Sequence, residues 1–204
     1  VLPGIDDETN HYTNILDGKI EILKEAIENQ GLVLLTFCAA SYYLFSNIQY
    51  LMRNGVPKER EGAGLIKGSA VHAFGHITRQ TLNDSPWNDF VLAAVRHETT
   101  PQILRALNIN GPKMLVDHEQ DPLVEIFMHY AEIEGAAIVV KPMNRGGIIA
   151  SGIHPEISPV HKNLPEGFAI HENDRHVIWY SIKKKIIELI RNARQSGLSE
   201  PTYG

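Results

Sequence analysis

Three residues that lie far apart in the sequence have the side chains of a nucleophilic catalytic site. Cys38 is the only cysteine of the 204-residue chain, and His154 and Glu156 belong to a His-Pro-Glu segment much later in the chain. A thiolate attacks acyl carbon atoms, but it needs a base to take its proton, and the base needs an acceptor to orient it. These residue types therefore predict acyl chemistry if the fold brings them together. Without these partners, a single cysteine such as Cys38 is also consistent with a buried, unreactive thiol.

The sequence around Cys38 predicts a strand that ends at the thiol and a helix that begins after it. Residues 18–30 have apolar side chains at helical spacing, with Gly31 as the stop. Residues 32–37 are apolar on both faces, which is typical of a buried strand in a parallel sheet, and residues 39–52 return to helical spacing. A thiol in this place meets the N–H groups and the positive dipole end of a helix, which favour a thiolate and can hold an oxyanion.

The second half of the chain predicts a β-meander that leads to His154. Alternating or β-branched apolar side chains occupy residues 123–130, 136–140 and 148–151, and a turn-forming Asn-Arg-Gly-Gly at 144–147 separates the last two runs. Together with the helices, this pattern predicts an α/β fold.

Four other segments have patterns of their own. Residues 91–97 and 101–106 are predicted as short helices, and residues 54–64 as a polar loop. Residues 177–195 have the spacing of an amphipathic helix. Its predicted inward side chains are Ile178, Ile182, Ile186, Leu189 and Ile190, and its predicted solvent face carries Lys183, Lys184 and Lys185.

Length and composition exclude several classes of protein. The chain has 204 residues, 43% hydrophobic and 21% charged, which predicts one globular domain. A net charge of −5 argues against a nucleic-acid partner, and apolar runs of only a few residues predict no membrane span. The single cysteine fits a reducing compartment, so we expect a cytoplasmic protein.

Three segments resemble class I glutamine amidotransferase-like domains in both order and spacing. Residues 1–6, Val-Leu-Pro-Gly-Ile-Asp, resemble the Pro-Gly-Gly-x-Asp turn of that superfamily. Residues 34–40, Leu-Leu-Thr-Phe-Cys-Ala-Ala, resemble its Gly-x-Cys-x-Gly nucleophile elbow, and residues 147–156 resemble its late strand that runs into His-Pro-Glu. Within the superfamily, residues 38–43 and 64–70 are most similar to the biotin–protein ligase amino-terminal domain group.

The resemblance implies a flavodoxin-like three-layer sandwich with a mostly parallel central sheet. It implies a triad of Cys38 as nucleophile, His154 as base and Glu156 as the residue that orients the base. The further site residues that it implies are the oxyanion-hole N–H groups of Ile5 and Ala39 and the substrate-pocket residues Gly4, Asp6 and Tyr42. The implied substrate is a small-molecule amide or related acyl compound, with no cofactor and no metal, and the expected assembly is a homodimer or a complex with a partner domain.

The resemblance covers residues 1–157, which we predict to be the amidotransferase-like domain. In the family, about two strands and two helices precede the Pro-Gly turn, so we expect further residues before Val1 in the full gene product and the first strands to be absent here. Residues 158–204 are predicted to be a C-terminal extension whose amphipathic helix packs on the same domain.

Two alternatives to catalysis remain open on the sequence. Ile5, Thr36 and Ala40 stand where the family has glycine, and their side chains crowd the turn. This favours a catalytically idle binding or regulatory module on the same fold. His72 and His76 have the i, i+4 spacing of a metal site if they lie on a helix, which is the second alternative.

Overall fold

The computed structural model of the protein describes residues 1–3, 11–16, 18–51, 56–73, 90–158 and 170–196. In these ranges the chain forms four helices and ten strands. The helices are α1 (His11–Leu16), α2 (Ile20–Gln30), α3 (Ala39–Leu44) and α4 (Glu172–Ser196). The strands are β1 (Val33–Phe37), β2 (Phe45–Leu51), β3 (Pro57–Glu61), β4 (Ile66–His72), β5 (Phe90–His97), β6 (Ile103–Ile109), β7 (Pro112–Val116), β8 (Glu125–Tyr130), β9 (Ala136–Met143) and β10 (Gly146–Ser151).

The sheet is mixed, and most of its neighbouring strands are antiparallel. The strand order is β3-β2-β4-β7-β9-β8-β5-β6, while β10 lies between β9 and β1. Among the described strands, only β1 with β10 and β2 with β4 are parallel, and Leu2 adds a parallel bridge to Thr36. The prediction of an α/β fold is confirmed, but the prediction of a mostly parallel central sheet is wrong, and a flavodoxin-like sheet is not confirmed.

Short connections explain why the sheet is mostly antiparallel. β5 and β6, β8 and β9, and β9 and β10 each follow one another after a few residues and pair in antiparallel register. A connection this short cannot return the chain to the start of a parallel neighbour, because a parallel crossover takes a dozen or more residues. The predicted β-meander of β8, β9 and β10 is confirmed.

Several predicted helices and loops are strands. The segments at 91–97 and 101–106 form β5 and β6, and Val91, Ala93 and Val95 of β5 enter the core at the two-residue period of a strand. The helix predicted over 39–52 ends at Leu44, where β2 begins, and part of the predicted loop at 54–64 is β3. Alanine is a strong helix former, and this hid the strand pattern of β5.

Helix α4 is longer than predicted and differs in two details. Ile178, Ile182 and Leu189 are buried as expected, whereas Ile190 is 37% exposed and does not face the core. The side chain of Lys185 is only 12% exposed and pairs with Glu125 and Glu188, although the sequence placed it in water. None of the helices in the described ranges has both the length and the apolar character needed to span a bilayer.

Helices cover both faces of the sheet where β1 ends. Leu35, Phe37 and Ile149 share a core cluster with Ile178 and Ile182 of α4. On the opposite face, the cluster contains Leu34, Ile148 and Ala150 of the strands, Ile27 of α2 and Leu44 of α3. Both faces of β1 and β10 are therefore buried, and the ends of these strands lie between two packed layers of side chains.

Candidate active site

Cys38 lies at a sharp turn between β1 and α3. Its backbone has φ 49° and ψ −115°, and Asn110 is the only other non-glycine residue with positive φ in the described part of the chain. This conformation is strained for a residue with a Cβ, at a cost of about 1–3 kcal/mol. The Cys38 N–H donates to the Ser151 carbonyl of β10 at 3.0 Å, and its own carbonyl accepts from the Ser41 N–H of α3 at 2.9 Å. The strand end and the helix start thus fix this elbow.

Two residues that replace the family's elbow glycines fit into this turn. Thr36 is fully buried, and its hydroxyl lies 3.0 Å from the Ser41 hydroxyl, which donates to the Ser151 carbonyl at 2.8 Å. Ala40 is also fully buried and packs beside Tyr12. The elbow therefore forms with side chains where the family has glycine.

His154 and Glu156 follow β10 and lie beside the elbow. The Nδ1 atom of His154 is 2.8 Å from Oε1 of Glu156, and the imidazole stacks on Phe37 with ring centroids 6.4 Å apart. The His154 N–H donates to the Leu107 carbonyl at 2.7 Å. Its Nε2 atom is buried and has no hydrogen-bond partner among the described residues. Because Nδ1 donates its proton to the carboxylate, Nε2 is the nitrogen left to accept a proton.

Charge and hydrogen bonding at this place favour the protonated imidazole. Burial lowers the pKa of His154, but the neighbouring sulfur of Cys38 and the carboxylate of Glu156 outweigh burial and raise the pKa to about 10. The Cys38 thiol has a second neighbour as well, because Sγ donates to the Ile109 carbonyl at 3.3 Å. The fold thus brings Cys38, His154 and Glu156 together, and the thiol proton has two acceptors within reach.

The remaining predicted site residues divide into described and undescribed ones. Ala39 is the first residue of α3, so its N–H lies at the start of that helix. Tyr42 was predicted to border the substrate pocket; it is 7% exposed, and its hydroxyl donates to the Asn110 carbonyl at 3.2 Å. Gly4, Ile5 and Asp6 lie outside the described residues.

Only one residue of the histidine pair with metal-ligand spacing lies in the described part of the molecule. His72 ends β4, where burial lowers its pKa to about 4, and His76 lies outside the described residues. The described ranges contain no group of three or more His, Cys, Asp or Glu side chains that could hold a metal ion.

The turn between β6 and β7 is part of the site but was not predicted from the sequence. The carbonyls of Leu107, Ile109 and Asn110 accept from His154, Cys38 and Tyr42, respectively. The dipeptide Asn-Gly at 110–111, followed by proline, is a turn signal that could have been read from the sequence. Nothing in that signal, however, indicates that the turn packs against an element seventy residues earlier.

Comparisons with known proteins agree with this geometry at the level of the fold. Solved structures of 25 chains are similar to this one. In one of them, a crystal structure of glutamine amidotransferase, the TM-score is 0.53 at 16% sequence identity, with 92% of this chain and 76% of that chain covered. At that identity the likeness concerns the fold alone. A comparison with curated proteins found no match.

The family assignment comes from the sequence. The family model "Biotin-protein ligase, N terminal" matches residues 1–185, which is most of the chain. This match and the glutamine amidotransferase neighbour confirm the resemblance that the three motifs indicated. The chain therefore belongs to the family of biotin-protein ligase N-terminal domains and has a glutamine amidotransferase-like fold.

Proposed function

We propose that this amidotransferase-like domain cleaves a small-molecule amide or related acyl substrate, with Cys38 as the nucleophile. One observation carries the proposal. The buried imidazole of His154 is oriented through Nδ1 by Glu156 and has an unpartnered Nε2 beside a thiol on a strained elbow. An oriented base next to a nucleophile is the arrangement that activates Ser and Cys in acyl transfer.

The proposed reaction has two halves. Nε2 of His154 takes the thiol proton, and the thiolate attacks the acyl carbon to give a tetrahedral intermediate. The Ala39 N–H, and that of Ile5 by resemblance, would stabilise the oxyanion. His154 then gives its proton to the leaving amine, which leaves a thioester on Cys38. Water attacks the thioester with His154 as base, so that one amide and one water become one acid and one amine.

The flavodoxin-like arrangement that we propose concerns only a few strands of the sheet. Leu2, β1 and β10 are parallel neighbours with helices on both faces. We propose that these strands correspond to the parallel core of the family and that the antiparallel strands are attached to it. We likewise propose a cytoplasmic domain without nucleic-acid or membrane partners, working as a homodimer or with a partner domain.

The proposal is tested by the rate of Cys38 alkylation by iodoacetamide as a function of pH. We expect rapid labelling at neutral pH in the wild type, because the His154 cation stabilises the thiolate. His154→Ala should slow this labelling, and Glu156→Gln should slow it less. His129→Ala is the matched control, since His129 also contacts a glutamate but lies on β8 away from the thiol. Equal pH profiles in the wild type and in His154→Ala would refute the triad.

The second candidate function is an idle binding module. It is favoured by the hydrogen bond from Cys38 to the Ile109 carbonyl, because this acceptor holds the proton on sulfur. In that case a panel of small amides would be retained without hydrolysis. Release of amine from any of them by the wild type, and not by Cys38→Ser, would exclude it.

A further inference from the structure

One turn of the chain contacts three segments of the proposed site. Three carbonyls of this turn, which joins β6 to β7, and of the last residues of β6 accept hydrogen bonds from the site. The Leu107 carbonyl accepts from the His154 N–H at 2.7 Å, the Ile109 carbonyl from the Cys38 thiol at 3.3 Å, and the Asn110 carbonyl from the Tyr42 hydroxyl at 3.2 Å. The position of this turn therefore decides where the thiol proton can go.

Asn108 holds the turn in place. Its side chain is fully buried: Oδ1 accepts from the Gly111 N–H at 2.9 Å, and Nδ2 donates to the Tyr130 hydroxyl at 2.7 Å. That hydroxyl donates in turn to the Pro112 carbonyl at 3.0 Å. Asn108 thus ties both sides of the turn to β8, and Asn110 between them keeps the strained φ of 54°.

Backbone packing presses the same turn against the loop after β10. A Cβ on Gly111 would lie 1.9 Å from the Gly152 carbonyl oxygen, and a Cβ on Gly152 would lie 2.0 Å from the Pro112 carbonyl oxygen. The two backbones are therefore in direct contact. The carbonyl of Ile109 cannot withdraw from Cys38 unless this contact or the hydrogen bonds of Asn108 give way.

The two acceptors of the thiol proton have opposite chemical effects. A carbonyl oxygen stabilises the neutral thiol and repels a thiolate, whereas an imidazole takes the proton and stabilises the thiolate as a cation. Among the described residues, the other titratable groups that interact with the charge of Cys38 are Tyr12 of α1, Tyr42 of α3 and Tyr130 of β8. Burial and, to a smaller extent, the charge of Cys38 raise the pKa of each tyrosine, so that all three are neutral at neutral pH. The competition is thus between Ile109 and His154.

We propose that Asn108 is a positioning residue that holds the Ile109 carbonyl against Cys38, so that a larger fraction of the thiol in the free domain keeps its proton than His154 alone would leave. The proton passes to His154 when the turn moves away from the sulfur. This inference rests on the proposed function, since it takes His154 as the base that competes for the proton.

The experiment is the pH profile of iodoacetamide labelling in Asn108→Ala. Loss of the side chain releases the turn, so labelling at neutral pH should rise by about fivefold, the equivalent of one net hydrogen bond. The profile should also move to lower pH. Tyr130→Phe removes only the hydroxyl that Asn108 contacts, and it should move the profile in the same direction by less. This milder variant carries the test if Asn108→Ala does not fold.

Destabilisation alone is controlled by Asp121→Asn. Asp121 is 5% exposed and pairs with Lys141 at 2.8 Å, so this variant weakens a buried interaction that does not touch the turn. We expect it to lower the unfolding temperature and to leave the profile where it is. Simple exposure of the thiol raises labelling at every pH, whereas release from a carbonyl shifts the profile.

The outcomes separate the two proposals. If Asn108→Ala and Tyr130→Phe keep the wild-type profile, or move it to higher pH, the inference about Asn108 is overturned. If His154→Ala leaves the wild-type profile unchanged, the proposed function fails whatever the Asn108 variants do.

Discussion

The molecule contains two His–Glu pairs whose environments differ. His154 and Glu156 lie beside the elbow with side chains 6% and 31% exposed, whereas His129 of β8 and Glu98 after β5 are 24% and 56% exposed. Both pairs have the same chemical groups in contact. Only the first has a thiol beside it and an unpartnered, buried Nε2. The difference indicates that burial and a reactive neighbour, rather than the pair itself, make a histidine useful as a base.

The largest expected effect is a difference in kcat between variants of the two histidines. Once an amide substrate is found, His154→Ala should lower kcat by about 10²–10⁴-fold, because general acid–base catalysis contributes that much. His129→Ala should keep kcat within about twofold of the wild-type value, because the contact between His129 and Glu98 is partly exposed and lies away from the thiol. Steady-state release of amine measures both. Equal losses of kcat in the two variants would show that His154 has no special role compared with His129.

A smaller effect is expected from the carboxylates. Glu156→Gln keeps the shape of the side chain but removes the charge that orients and stabilises the His154 cation, so kcat should fall by about a hundredfold. Glu98→Gln is the matched change on the other pair. If it reduces the rate as much as Glu156→Gln does, the orienting role of Glu156 is wrong.

The pH dependence of stability should report on the buried pair. Burial lowers the pKa of His154, but Cys38 and Glu156 raise it to about 10, above the ordinary value near 6.5. A group that binds its proton more tightly in the folded state stabilises the fold fully below its unfolded pKa, and this contribution is lost as pH rises from about 6.5 to about 10. Urea unfolding across this window should lose less stability in His154→Ala. Cys38→Ser should also flatten the curve, because it removes one of the groups that raise the pKa.

The smallest expected effect is the change in protein stability when the His129–Glu98 contact is removed. His129→Ala should change the free energy of unfolding by no more than about 1 kcal/mol, since surface contacts of this kind contribute about 0–1 kcal/mol. Thermal unfolding at neutral pH measures it. A loss of several kcal/mol would mean that the pair supports the β5–β8 contact more strongly than its exposure indicates.

The part of the fold around Cys38 could be predicted because its signals are local. The short apolar run of β1, the stop at Gly31 (φ 76°) and the order of the three motifs are all visible in the sequence. The proposed triad residues were implied by the family resemblance that this order supports. Local signals also sufficed for the meander, whose strands are separated by clear turns.

The antiparallel part could not be predicted, because its strands depend on distant partners. β2 pairs with β3 and β4 on its two edges, and no local pattern overrode the helical spacing of its residues. In β5, Ala93 and Ala94 favour a helix in isolation, whereas pairing with β6 and β8 makes the segment a strand. The contact of the β6–β7 turn with Cys38 was missed for the same reason.

The contact between Gly111 and Gly152 has a consequence for how such a site can change. Alanine is the smallest possible replacement, and it would already place a carbon atom about 2 Å from a carbonyl oxygen of the facing backbone. In an apolar core, one side chain can be replaced by another of slightly different size. At these two positions no side chain of any size fits without a shift of the backbone. Substitutions that shift the position of this turn are therefore better made at side chains that bond to it, such as Asn108 and Tyr130, than at the two glycines.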